Sequence, residues 1–367
     1  MKENQVVEDF FRFSSLNGWK WKDTGPIVKD DSSLLFHISG GAVFDKELSG
    51  ISRSPFGRIA SFQDCLRTDN WEKIGYSGKH HLLFGMIGHF MLFESGELST
   101  KKAMISTTLE FVNGCLGIPL SNLAVSVHPD DMISYKVWES LDVKEIRMNP
   151  ENTSIDPFNL RHGTRTEIIF LNQSGVECEL WNIVFHSKSY NEDSTVDSRI
   201  TADSGASIDR LIRARNFKDS DYETGYWSDF VSLISSDSAD RIRLSEMLKA
   251  SAFLLNENLV PGNKGATYVL RKVIRESYNL SSSKEQCLSD FIAVENYWLS
   301  GHRSRADCFK AELDAYRLAL ARGEKEMMKI LNRKGRLSEE DILFLSGSFG
   351  YPKRLLTNKT IVHGKSD

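Results

Sequence analysis

Cys65-Leu66-Arg67 is followed, after a polar loop, by Gly78-Lys79-His80-His81-Leu82-Leu83-Phe84. A strand, a loop and a second strand would set Arg67, Lys79 and Phe84 on one floor. A guanidinium and an ammonium suit phosphate oxygens, and an aromatic face suits a purine. The same residue types also fit a surface arginine and a core phenylalanine. A second constellation is Ala202-Asp203-Ser204-Gly205-Ala206-Ser207-Ile208-Asp209-Arg210-Leu211. Its small residues read as a turn from strand to helix, with Arg210 in the first helical turn. Such a turn lets a ligand approach the backbone and, with the helix N-terminus, favours an anion. As plain structure it is a serine-capped strand-to-helix turn. Third, Asn182 and Val184 lie two apart in the apolar run 180–185 and so share one strand face. A polar and a small apolar group side by side suit a small-molecule pocket, or equally a β-core with one hydrogen-bonded asparagine.

Other chemistries find little support. The nine histidines include no pair at four-residue spacing, and His80 and His81, being adjacent, point to opposite faces of a strand. No Walker-type loop and no G-x-G-x-x-G stretch occurs. Five cysteines (Cys65, Cys115, Cys178, Cys287, Cys308) form no C-x-x-C pair, which reads as free thiols in a reducing compartment.

The elements that must position these residues follow from apolar spacing. Val6, Val7, Phe10 and Phe11 predict an amphipathic helix that Asn17-Gly18 stops. From Pro26 to about Arg215, short apolar runs at 33–38, 167–171 and 180–185 predict strands, with turn signals at Ser39-Gly40-Gly41 and Asn113-Gly114. The stretch Leu82 to Phe93 is too short to span a bilayer and reads as a buried core element. Beyond Phe217 the pattern turns helical. Leu244, Met247, Leu248 and Phe253 fall in one stretch, and Tyr268, Leu270, Val273 and Ile274 in the next. Leu313, Tyr316, Leu320, Met327 and Leu331 form a long stripe. Ser338 with three following acids caps the last helix. The expectation is an α+β fold: a largely antiparallel sheet domain with flanking helices over 1–217, then an all-helical domain over 218–367.

Composition agrees with a globular chain of this size. The 367 residues are 40% hydrophobic and 26% charged, which excludes a disordered or collagen-like chain. A net charge of −4 supplies no global cationic field for nucleic acid, so any such contact needs a local patch. With no apolar segment of signal type at residues 1–10, the expected location is cytoplasmic, without membrane association.

Taken in order, the motifs resemble the class II aminoacyl-tRNA synthetases and, within them, the alanyl-tRNA synthetase family. Asp31-Ser32-Ser33-Leu34-Leu35-Phe36 through Gly40-Gly41 to Phe44 resembles that family's first conserved segment. Cys65-Leu66-Arg67 and the stretch from Gly78 through Phe84-Gly85-Met86 to Gly88-His89 are similar to its motif 2, and Asp203-Ser204-Gly205 to Arg210 to its motif 3. In the helical part, Ala252-Phe253-Leu254 to Val260-Pro261-Gly262-Asn263, Gly265 to Arg271 and the tail Phe349-Gly350-Tyr351-Pro352 resemble the tRNA-recognition domain. The resemblance implies a class II synthetase-like fold and a ligase that activates a small amino acid, alanine first, with ATP and Mg²⁺. It implies Arg67 and Arg210 as catalytic residues on the phosphates, Phe84 stacked on adenine and Lys79 near the triphosphate. Glu167 would contact Mg²⁺ or ribose. Asp203 would pair with the substrate ammonium, Asn182, Val184 and Gly205 would shape the amino-acid pocket, and Asn263 and Arg271 would meet tRNA.

Departures from the pattern carry information too. Gly85 stands where the family usually has an acid and Ser207 where it has a glycine, both expected close to the nucleotide. Phe158 is the nearest counterpart of a pocket-closing tryptophan, and Gly347 replaces an aspartate that reads the acceptor stem. Lys264, Arg271, Lys272 and Arg275 make a thinner basic set than the family's helix. The implied protein is a paralogue without the editing and C-terminal domains, hence with no zinc and, by default, monomeric. The acceptor stays open between a tRNA 3′ end and a small metabolite or carrier, and a non-catalytic paralogue that binds amino acid or tRNA stands as the third reading.

Overall fold

Apolar alternation along the first two-thirds of the chain resolves into one mixed sheet. The computed structural model describes residues 3–29, 34–49, 51–52, 56–94, 96–155, 161–190, 196–197, 200–235, 240–353 and 356. Among these, ten strands occur: β1 Lys20–Trp21, β2 Arg58–Leu66, β3 Leu83–Glu94, β4 Leu123–Val127, β5 Glu145–Met148, β6 Thr153–Ile155, β7 Arg161–Leu171, β8 Glu177–Tyr190, β9 Val196–Asp197 and β10 Ile200–Ser207. Their order is β1-β2-β3-β10-β8-β7-β4-β5, with β6 on β7 and β9 on β8. The central pairs are antiparallel, and only β1 with β2 and β4 with β5 run parallel.

The helices are α1 Glu3–Leu16, α2 Asp45–Leu48, α3 Glu97–Leu109, α4 Met132–Ser140, α5 Ile208–Arg215, α6 Gly225–Ser232, α7 Arg241–Asn256, α8 Gly265–Leu280, α9 Lys284–Trp298, α10 Ala306–Lys334 and α11 Glu339–Phe349. The architecture is α+β, as the sequence predicts. One sheet face is sealed by α1: Phe10 lies 4.6 Å from the His89 ring, 5.1 Å from Phe111 and 6.1 Å from Trp181. Burial without a charged partner pushes His89 down to about 3, so it sits in this core as a neutral ring beside the Ser14 hydroxyl at 2.9 Å. The opposite face carries the cavity described below.

Three expected elements differ. The described part of 33–38 contributes a single bridge, Val28 to Phe36. Its backbone groups divide between Ile27, Lys29 and Leu66, so no ladder develops. Asn113-Gly114 is no turn. It lies in a π-helical extension of α3, Glu110–Cys115, where the Asn113 amide donates to the Ile118 carbonyl at 2.9 Å. Finally, Asp203-Ser204-Gly205 does not turn the chain but stays in β10, which runs to Ser207 before α5 begins. Small residues serve a tightly paired strand as well as a turn: Gly205 faces Gly88 on one side and Asn182 on the other.

The described residues divide into two compact units, one reaching Ile234 and including 240–246, the other comprising Ser235 and everything from Met247. Residues 218–234 thus cluster with the sheet, beyond the sequence boundary at 217. Tyr222, Tyr226 and Trp227 hold them there through His81 and Asp209. The second unit is helical. Phe291 of α9 stacks on Phe309 of α10 at 4.0 Å, and Met327, Ile330, Leu345 and Tyr351 form a further cluster. Of the predicted stripe, Leu313, Tyr316 and Met327 are buried, while Leu320 and Leu331 pack at its margin. Ser338 and Asp341 close a reciprocal capping box on α11. No helix among the described residues is long and apolar enough to cross a membrane.

A Cβ on Gly88 would run into the Ser204 carbonyl of the neighbouring strand. Gly88→Ala is therefore expected to destabilise the sheet unit by about 1–3 kcal/mol in urea unfolding, and an unchanged midpoint would contradict this packing.

Candidate functional site

The cavity face is set by strand alternation. On β3 it presents Phe84 and Met86, on β10 Asp203, Gly205 and Ser207, and on β8 Asn182 and Val184. Pairing of Asp203 with Val184, Gly205 with Asn182 and Ser207 with Met86 keeps these side chains on one surface. They line a cavity of about 420 Å³ that also takes in Arg67, Lys79, Arg210 and the Ser39-Gly40-Gly41 segment, a size usual for small-molecule sites.

At one end the Arg67 guanidinium lies 5.1 Å from the centre of the Phe84 ring. Its Nε donates to the Ile38 carbonyl at 2.7 Å, and no carboxylate pairs with it among the described residues. The antiparallel pairing of β2 and β3 places Phe84 opposite Cys65, which brings Arg67 over the ring. Arg210, in the first turn of α5, donates to the Glu179 carbonyl at 2.9 Å and lies 3.4 Å from its carboxylate. Lys79 is exposed at the rim. Beside it, His80 meets the Ser77 hydroxyl at 2.6 Å. Burial and then the cations Lys73, Lys79 and Arg210 push its pKa down.

At the other end stands Asp203. It has no hydrogen-bond or ion-pair partner among the described residues. Burial, with the like charge of Asp45, raises its pKa to about 7. Gly41 faces it, and a Cβ there would collide with the carboxylate. The Asn182 carbonyl oxygen is buried without a partner, while its amide nitrogen lies 3.5 Å from Glu167.

The structure thus brings together Arg67, Lys79, Phe84, Asn182, Val184, Asp203, Gly205 and Arg210. Glu167 is not among them. It shares the face of Asn182 but lies one strand further out, accepting from the Ser126 hydroxyl at 2.8 Å and pairing with Arg165 at 3.4 Å. Gly85 falls on the other strand face, opposite Asp64, and does not line the cavity, whereas Ser207 does. Phe158 and Asp31-Ser32-Ser33 lie outside the described residues. In the helical unit, Arg271 bonds to the Asn263 side chain and lies 3.5 Å from Glu312, which also takes Arg275 at 2.7 Å. Gly347 faces open space.

Several cavity residues had no distinct sequence signal. Glu179 joins Asn182 and Val184 because a bulge at Leu180, where Trp181 pairs with Ile168 but Glu179 with Ile169, breaks the two-residue alternation. Asp69 and Asn70 come from the loop after Arg67. His81 borders the cavity from a buried network: its ring meets Glu246 at 2.6 Å and Asp221 at 2.9 Å, with Trp227 stacked at 5.2 Å. Burial works against its charge, yet the carboxylates of Asp209, Glu246 and Asp221 hold its pKa well above the usual histidine value.

The family model of the tRNA synthetases class II (A) matches residues 5–361. The chain belongs to this family. Similar curated relatives are the alanine–tRNA ligases of Thermotoga petrophila, 26% identical over 402 residues covering 97% of this chain and 46% of that one, and of Fervidobacterium nodosum, 24% identical over 409 residues covering 99% and 47%. The chain spans about half the length of the curated relatives it matches. Among solved structures, an apo S. aureus histidyl-tRNA synthetase aligns with a TM-score of 0.42 and 12% identity, over 60% of this chain and 67% of that one.

The folded pKa of Asp203 lies above its unfolded value, so the folded state binds the proton more tightly and loses stability as pH rises from about 4 to 7. Ligand-free Asp203→Asn should match the parent in urea unfolding at about pH 4 and exceed it at about pH 8. His81 has the same sign with a different charge type: its stabilisation is complete below about pH 6.5 and is lost as pH climbs through its raised folded pKa. His81→Leu at about pH 6 should cost about 3–5 kcal/mol, because Asp221 and Glu246 stay buried without their cation.

Proposed function

We propose that this synthetase-family chain activates a small amino acid, alanine first, with ATP to an aminoacyl adenylate and passes it to an acceptor, the 3′ end of a tRNA. One observation carries the reading: a single cavity holds an arginine over an aromatic ring and a carboxylate beside a valine and a glycine, neither paired with an opposite charge among the described residues. The first pair suits a nucleotide phosphate and purine, the second an α-ammonium with a small side chain.

In the proposed reaction a carboxylate oxygen of the amino acid attacks the α-phosphorus of ATP. The new O–P bond forms as the bond to pyrophosphate breaks, and no protein nucleophile is needed. Arg67 stabilises charge on the α-phosphate, Phe84 stacks on adenine, and Arg210 with Lys79 holds the outer phosphates. Asp203 anchors the ammonium, while Asn182, Val184 and Gly205 set the room for the side chain. Mg²⁺ would supply charge neutralisation at the phosphates. The acids that would contact it are Glu179, which lines the cavity beside Arg210, and Glu167, one strand further out.

A second acceptor, a small metabolite or carrier, is favoured by the helical unit. There Arg271 and Arg275 share Glu312, Arg271 is bonded to Asn263, and Gly347 offers no side chain. Fewer free donors remain for reading an acceptor stem.

The deciding assay is ATP–pyrophosphate exchange with alanine, glycine and serine, followed by other small amino acids. Exchange with one of them is expected, and Arg67→Ala in folded protein should lower it about 10²–10³-fold. Absence of exchange with every amino acid would favour the non-catalytic paralogue. Charging of bulk tRNA would then separate the two acceptors.

A further inference from the structure

The loop between β2 and β3 supplies Asp69, Asn70, Lys79 and His80 to the cavity, yet its tip is held from outside. The tip, Trp71–Tyr76, lies against the first turns of α7. Arg243, buried to 4% exposure, donates through Nη1 to the carbonyls of Trp71 at 2.8 Å and Ile74 at 2.9 Å. Its guanidinium lies 5.5 Å from the Trp71 ring and 5.4 Å from the Tyr76 ring. The Tyr76 hydroxyl donates to Asp240 at 2.7 Å. Gly75 has φ +82°, and a Cβ there would stand 2.6 Å from the Arg243 Cα, so the backbones approach as closely as glycine allows. Three residues on, Glu246 takes the loop's far end: it accepts the Leu82 amide at 3.0 Å and the His81 ring at 2.6 Å.

We propose that Arg243 and Glu246 are positioning residues, a clamp on one face of α7 that holds loop 68–82 in the shape that presents its polar groups to the cavity. Neither residue lines the cavity, so the clamp acts through the loop. The two loop ends meet where the Arg67 amide donates to the Leu82 carbonyl at 3.0 Å, which ties the clamp to the arginine over Phe84. The charged and titratable groups facing the clamp are Asp240 beside Tyr76, and around Glu246 His81, Tyr222 and Asp221, the last paired in turn with Arg213 of α5.

The consequence for nucleotide binding rests on the proposed function, whereas loop order does not. The test uses the intact chain with Arg243→Ala and Gly75→Ala, which break the same contact from its two sides, and Arg333→Ala in the helical unit as control. Hydrogen exchange of peptides over 68–80 should quicken about tenfold or more in both variants, with β8 and β10 at parental rates. In pyrophosphate exchange with alanine, the KM for ATP should rise about tenfold while kcat stays within about threefold. The double variant should be no worse than the poorer single one. Loop amides exchanging at the parental rate in the folded variants would overturn the clamp. So would an unchanged KM with kcat falling in step with the folded fraction. Should Arg243→Ala fail to fold, Gly75→Ala carries the test alone. If the parent shows no exchange with any amino acid, the proposed function falls, and the clamp is judged by the loop amides.

Discussion

The site depends on a sheet whose two faces are filled unequally. Behind β3, β8 and β10, full-sized rings such as Trp181, Phe10 and Phe111 close the space completely. In front, Gly41 and Gly205 withhold the side chains that would occupy the same volume. Strand pairing makes this workable. Gly88 lets β10 come close to β3, so that Asp203 and Phe84 belong to one surface. The concavity comes from missing side chains on a paired ladder, broken beneath it at the Leu180 bulge, rather than from an open gap between strands.

Charge is distributed to match. Among the described residues Arg67 and Asp203 stand at the cavity without an ion-pair partner, while the histidine next to it, His81, is surrounded by carboxylates. Buried ions are costly when alone and tolerable when paired. The paired network around His81 joins the end of the loop, the start of α5 through Asp209 and the start of α7, and so fixes the frame. The unpaired groups are left for a ligand to complete.

Much of this was legible in the sequence, for physical reasons that differ by residue. Asn182 with Val184 is a two-residue spacing, and a strand face follows directly. Ser338 and its acids announce a helix start, and Arg67 with Phe84 needs only a hairpin to meet. The segment 203–206 reads as a turn in sequence because its serine, glycine and alanine satisfy a turn and a close strand pair equally well. Glu179 was hidden by a one-residue bulge. Glu167 lies on the right face but one strand too far, a distance that face periodicity does not encode. His81 and Glu246 stand 165 positions apart, and Arg243 grips a loop more than 160 residues upstream, so no local pattern connects them.

The raised pKa of Asp203 reaches beyond stability. Burial raises the pKa of this carboxyl toward neutrality, so the ligand-free chain holds part of it protonated there. Any ligand that brings a cation to it makes the ionised form the favoured one and expels the remaining proton into solution. Heat measured on binding then includes the ionisation enthalpy of whatever buffer takes up that proton. Titrations in phosphate and in Tris would differ in apparent enthalpy while agreeing in affinity, and the difference would count the protons released.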